Sequence, residues 1–200
     1  LGLLAGLTLL QPDLGTAIVM GTVVFVMLMV AKSDGRHLGL VAVMGAVALA
    51  VLIAGASYRR RRLLAFLDPW ADPLGAGFQI VQSYLALGSG GIIGNGLGAS
   101  LQKLFYVPGA HTDFIFAILG EELGLLGTTA ILGLFALVVL CGTKLALMIE
   151  DPFGKYLICG LMALIGFEAV VNMAVVTGLL PTKGLPLPFI SYGGTSMVGN

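Results

Sequence analysis

The chain has 200 residues, of which 58% are hydrophobic and only 10% charged, and its formal net charge is zero. Soluble domains carry about 25% charged residues, so this composition, with a mean hydropathy of +1.05, excludes a soluble globular enzyme and assigns the chain to a lipid bilayer. Net charge identifies no partner, which leaves the distribution of the charges to be read.

A helix needs about 20 apolar residues to cross about 30 Å of hydrocarbon, where unpaired backbone groups are intolerable. Leu1 to Leu10 reads as the tail of one span. Leu14 to Ala31, uncharged between Asp13 and Lys32, is a second, and Leu38 to Ser57, between His37 and Arg59, is a third. The chain opens on Leu1 with no basic segment and cleavage site, so no targeting signal is legible, and both ends read as truncated.

From Tyr58 to about Thr112 the pattern changes to a long loop, the kind of segment that usually carries function. It holds Arg59, Arg60, Arg61, Arg62 and Lys103, five of the ten basic residues. The four arginines suit lipid head groups on composition alone. Guanidinium groups also bind phosphate bidentately and stay charged at any working pH, which suits the diphosphate of a lipid-linked sugar. Phe78, Val81 and Leu85 at helical spacing predict a short interfacial helix over Gly77 to Leu87. The glycine run from Gly88 to Gly98 lacks the Lys-Ser/Thr of a phosphate-binding loop and predicts close backbone packing or an anion nest.

His111-Thr112-Asp113-Phe114 closes the loop and enters a helix. Asp113 is a carboxylate at a membrane boundary. Thr112 or Asp113 can cap the helix, and boundary acids are also functional candidates. On a regular helix Glu121 falls about 80° around and about 12 Å along from Asp113, too far for a carboxylate dyad, and Glu122 falls on the opposite face. The two glutamates are expected to pair with basic residues or helix ends. Leu123 to Thr143 and Tyr156 to Gly178 are further spans, the latter carrying one costly acid, Glu168. Cys141 and Cys159 read as small buried hydrophobes. Pro181 to Ser196 contains Pro181, Pro186 and Pro188, which rule out a plain helix, and it sets Lys183 and Ser191 at membrane depth, where irregular backbone lines cavities. From Gly184 onward the uncharged chain also reads as the first part of a last span.

In order along the whole chain, Gln11-Pro12-Asp13-Leu14-Gly15-Thr16, Leu67-Asp68-Pro69-Trp70, Gln82-Ser83, His111-Thr112-Asp113-Phe114 and the stretch from Asn172 through Pro181 to Ser196 resemble the SEDS family of shape, elongation, division and sporulation proteins. Arg59 to Arg62, Gln102-Lys103, Glu121-Glu122 and Pro181-Thr182-Lys183-Gly184 are closer to its division and sporulation branch than to its elongation branch. The resemblance implies an all-α polytopic membrane protein of about ten helices, of which this chain holds five to six, within one SEDS membrane domain over residues 1–200. Residues 58–112 would be its long extracytoplasmic loop. Alternating the charged loops by the positive-inside rule would place that loop in the cytoplasm; the resemblance overrules it.

The family's activity implies a peptidoglycan glycosyltransferase that polymerises lipid II in the bacterial cytoplasmic membrane, during division and at the septum, with undecaprenyl diphosphate leaving. Asp113 corresponds to the essential loop aspartate and would be the general base. Arg59, Arg60, Arg61, Arg62, Lys103, His111, Thr112, Lys183 and Ser191 would contact the substrate. Cationic side chains or a divalent cation, Mg or Mn, would stabilise the departing diphosphate, and no other cofactor is implied. Expected partners are a class B penicillin-binding protein transpeptidase and other divisome membrane proteins, with no nucleic acid. Gly109 stands where many relatives carry an acid, so no second loop carboxylate is implied. Two other readings fit a polytopic chain: a lipid II flippase, which would use an ion-coupling acid such as Glu168, and a scaffold that recruits the transpeptidase.

Overall fold

The computed structural model describes residues 14–100 and 112–192. Those residues form six helices and no strand: α1 (Leu14–Val30), α2 (Gly35–Ala54), α3 (Ser57–Leu67), α4 (Phe78–Gly90), α5 (Ile115–Met148) and α6 (Pro152–Val176). By length and composition α2, α5 and α6 can each cross a membrane, and α1 is a shorter apolar helix of 17 residues. The protein is an all-helical membrane protein, as its composition requires. The predicted spans fall within one of these helices each, to within a few residues, except for those at the two ends, which include residues 1–13 and 193–200 outside the described range.

The chain divides into two compact units. One comprises residues 1–55 and 135–167. Here helices approach at small residues, the usual device where apolar burial alone gives no preference for helix over lipid. A Cβ at Gly142 would lie 2.1 Å from the Met162 sulfur, and one at Gly166 would lie 3.2 Å from Val139 Cγ2, so α5 and α6 meet along glycine. The turn between them is built by Asp151, whose carboxylate accepts the Gly154 N–H at 2.7 Å. Pro152 follows in the first helical position, where its missing N–H is harmless. Cys141 is exposed on α5 and Cys159 is half-buried; neither is the buried residue expected from the sequence, because both helices turn apolar faces outward to lipid.

The other unit comprises residues 56–134 and 168–200. The segment expected as a long loop contains two helices here. The arginines lie on α3, and α4 covers the predicted Gly77 to Leu87 helix and runs on to Gly90. Between them Asp72 organises a tight turn, its carbonyl accepting the Gly77 N–H at 3.1 Å and its carboxylate the Ala76 N–H at 3.1 Å.

The apolar helix α5 is interrupted at Gly124, which has φ +66. An unbroken helix would pair the N–H groups of Leu125 and Leu126 with the carbonyls of Glu121 and Glu122. Instead residues 91–96 enter the gap. Leu125 N–H donates to Gly91 O (3.0 Å) and Leu126 N–H to Ile92 O (3.1 Å), while Asn95 N–H and Gly96 N–H donate to the Glu121 and Glu122 carbonyls at 3.0 Å each. These four backbone groups freed by the break are thus recovered, as the low dielectric of a membrane protein demands. Only glycine permits this approach: a Cβ at Gly90 would lie 2.0 Å from Gly120 O, one at Gly94 2.2 Å from Glu122 O and one at Gly124 2.4 Å from Gly94 N. The glycine run therefore serves close backbone packing. A largely apolar cavity of about 460 Å³, bordered by Leu87, Phe116, Thr128 and Met173, lies beside the junction.

Gly124→Ala is expected to destabilise the fold by about 2 kcal/mol or more, from left-handed strain plus collision with backbone that cannot rotate away. Gly133→Ala, where a Cβ meets nothing within 4 Å, should leave stability within about 1 kcal/mol of wild type or raise it. Thermal unfolding of the two detergent-solubilised variants compares them directly.

Candidate functional site

Asp113 stands two residues before α5, outside the membrane-spanning segment and half-buried. Its backbone is held from two distant parts of the same unit. The Asn172 side chain on α6 donates through Nδ2 to the Asp113 carbonyl at 2.8 Å and to the Leu185 carbonyl at 2.6 Å. Both partners only accept, so the amide must present its NH2 to them. Ser191 Oγ donates to the Thr112 carbonyl at 2.6 Å and accepts the Leu187 N–H, also at 2.6 Å. Asn172 is 1% exposed and Ser191 5%, which makes these interior hydrogen bonds.

The irregular stretch after α6 is what Ser191 and Leu185 belong to. α6 ends in a reversed cap, with Gly178 at φ +70 and Leu179 N–H reaching Ala174 O at 2.7 Å, as glycine-terminated helices do. Pro181, Pro186 and Pro188 then keep the chain out of a helix through Tyr192. The described part of the stretch from Gly184 is therefore an irregular layer with Leu187 and Pro188 fully buried, and not the first turns of a last span. Gly184 faces Asp113 so closely that a Cβ there would lie 2.7 Å from Oδ2.

Burial pushes the Asp113 carboxyl above the ordinary carboxylate range, while a hydrogen bond from the Thr112 side chain and the charge of Arg62 pull part of that shift back. Chemically, this makes Asp113 a better proton acceptor than an exposed aspartate, provided the working pH lies above its raised pKa.

The predicted substrate residues separate on α3. Arg62 is the arginine whose charge reaches Asp113. Arg59 donates from Nε to Tyr58 OH at 3.0 Å and lies 5.4 Å from the centre of that ring. Arg60, Arg61 and Arg62 are all exposed, and Arg62 also lies 6.0 Å from the centre of the Tyr58 ring. Lys183 is half-buried beside Gly184, and Thr112 and Ser191 are joined as described. Lys103 and His111 lie outside the described residues. Glu121 and Glu122 are both buried; Glu121, 2% exposed, accepts a hydrogen bond from Ser100 Oγ, just before the segment that leads to His111. Glu168 is half-buried on α6, not fully buried. Sequence reasoning gave no role to Asn172 or Gly184. Asn172 carried a signal, since an amide within an apolar span needs partners.

The family model described as "Cell cycle protein", for FtsW, RodA and SpoVE, matches residues 1–200. The chain is 53% identical over 188 residues to a probable peptidoglycan glycosyltransferase FtsW of Geobacter sulfurreducens, covering 94% of the chain and 50% of that protein. It is 46% identical over 187 residues to the stage V sporulation protein E of Bacillus subtilis, covering 94% and 51%. The chain thus spans about half the length of these curated relatives. Among solved structures it superposes with a TM-score of 0.73 and 39% identity on a chain of a peptidoglycan synthase complex that coordinates polymerization and crosslinking, over 98% of this chain and 54% of that one.

Proposed function

Because the chain belongs to the FtsW, RodA and SpoVE family of cell cycle proteins, we propose that the protein of which it forms part is a peptidoglycan glycosyltransferase that polymerises lipid II. The observation that carries this is the half-buried carboxylate of Asp113, within electrostatic reach of Arg62, at the mouth of a membrane helix.

The chemistry needs one base and a cationic surface. Asp113 takes the proton from the acceptor sugar's hydroxyl; that oxygen forms a bond to the anomeric carbon of the donor, the bond from that carbon to the diphosphate breaks, and undecaprenyl diphosphate leaves. Direct displacement turns the α-linked diphosphate into a β-1,4 glycoside. A diphosphate requires positive charge more than a proton, so Arg62 and Lys183, with Lys103 from the preceding segment, replace the acid of a glycosidase. A divalent cation, Mg or Mn, would arrive as the counter-ion of the diphosphate, since no three His, Cys, Asp or Glu side chains stand together among the described residues as a metal cage.

The solved neighbour couples polymerization to crosslinking, which supports a class B penicillin-binding protein as the partner of this chain, within the divisome and in the bacterial cytoplasmic membrane at the septum. The test is direct. Full-length protein with that partner, given lipid II, is expected to form glycan strands. Transport of lipid II across vesicles without polymer would replace this reading by a flippase.

Arg62 should stand apart from its neighbours. Arg62→Gln is expected to slow polymerisation about tenfold or more, with smaller losses in Arg60→Gln and Arg61→Gln. The base works ionised, so activity falls as pH falls through the raised pKa of Asp113. Arg62 lowers that pKa, and its removal therefore moves the acid limb of the rate profile to higher pH. Initial rates against pH for the three variants check both points.

A further inference from the structure

Asp113 and Thr112 lie in a turn ahead of α5, where their carbonyls are held by side chains far away in sequence: Asn172 is 59 residues from Asp113 and Ser191 is 79 residues from Thr112. Such bonds form only when α6 and the segment after it have docked, so they join three parts of the chain at the carboxylate. We infer that Asn172 and Ser191 are positioning residues for polymer formation, fixing the backbone of Thr112 and Asp113 and so the place of the Asp113 carboxylate relative to the attacking hydroxyl. This deepens the proposed function and rests on it.

The geometry favours positioning over simple stabilisation. Asn172 bridges Asp113 to Leu185, one residue from Gly184, where an added Cβ would meet the carboxylate. Both of its N–H groups are thus used at the site. Its Oδ1 is buried without a hydrogen-bond partner among the described residues, an unfavourable arrangement that an apolar side chain in this apolar helix would avoid. Ser191 works in the same direction from the other side, because its oxygen links the Leu187 N–H to the Thr112 carbonyl. Two latches on consecutive carbonyls hold the two peptide planes that flank the Asp113 α-carbon more tightly than either one alone. Neither side chain needs to touch substrate for this role.

The test measures steady-state polymerisation of lipid II by the full-length protein with its transpeptidase partner, for wild type, Asn172→Ala, Ser191→Ala and Asp113→Asn. A misplacement of about 1 Å costs about a hundredfold in rate, so each latch variant is expected to lose about tenfold to a hundredfold in kcat, with KM for lipid II within about twofold of wild type and partner co-purification retained. A latch that served stability alone would lower the amount of folded enzyme and the unfolding temperature while leaving kcat per folded molecule unchanged, and that result overturns the inference. If Asn172→Ala does not fold, Ser191→Ala, which removes a single oxygen, decides by the same criterion. Full activity in Asp113→Asn would instead sink the general-base reading. Its loss there, with wild-type kcat in both latch variants, sinks this inference alone.

Discussion

Asp113→Asn in the full-length protein is expected to reduce glycan polymer formation from lipid II by about a hundredfold to ten-thousandfold, the usual contribution of a positioned general base. The exchange keeps the shape of the side chain and removes only its ability to accept a proton from the acceptor sugar. Folding should survive. Burial disfavours the charged form of this group, so replacing the carboxylate by a neutral amide relieves desolvation, and the hold of Asn172 and Ser191 is on backbone carbonyls that the substitution leaves in place. Unfolding temperature and partner co-purification should therefore match wild type. Glu168→Gln is the informative comparison, because Glu168 is half-buried on α6 and enters no step proposed for polymerisation. Loss of function in that variant, with full polymerisation by Asp113→Asn, would reverse the assignment and favour ion-coupled transport.

The parts of this fold legible in sequence were those fixed by local physics. Uncharged runs of membrane length gave α1, α2, α5 and α6, and helical spacing of Phe78, Val81 and Leu85 gave α4. Four arginines in a row hid α3, because its apolar side chains Leu63, Leu64 and Leu67 follow the charges instead of alternating with them. The break at Gly124 was not legible either. Nothing near Gly124 in sequence signals that residues 91–96, about thirty positions earlier, supply its missing hydrogen bonds. The same holds at the site. Asp113 was singled out from its place at a helix entrance and from the family motif, but that the charge of Arg62, among four arginines, reaches it needed the turn of α3 in space. The roles of Asn172 and Ser191 depend on bonds across 59 and 79 residues, which a linear reading cannot supply.

Gly184→Ala separates stability from function most sharply. Glycine is not required here by backbone conformation, since Gly184 is not among the positive-φ residues, and alanine can adopt its dihedral angles. What glycine supplies is space: a Cβ would stand 2.7 Å from Asp113 Oδ2 and 3.4 Å from its Cγ. The obstructing atoms are the end of a rotatable side chain, so the added methyl group displaces the carboxylate and leaves the backbone where it is. Folding should thus change by less than about 1 kcal/mol, in contrast to Gly124→Ala, where the obstruction is backbone. The carboxylate cannot give way without leaving its position, and a shift of about 1 Å at a reacting group costs about a hundredfold in rate. Gly184→Ala is therefore expected to fold and bind its partner like wild type while polymerising lipid II about a hundredfold more slowly. Wild-type polymerisation by this variant would mean that the carboxylate has a second productive position, and the narrow seat described for Asp113 would have to be abandoned.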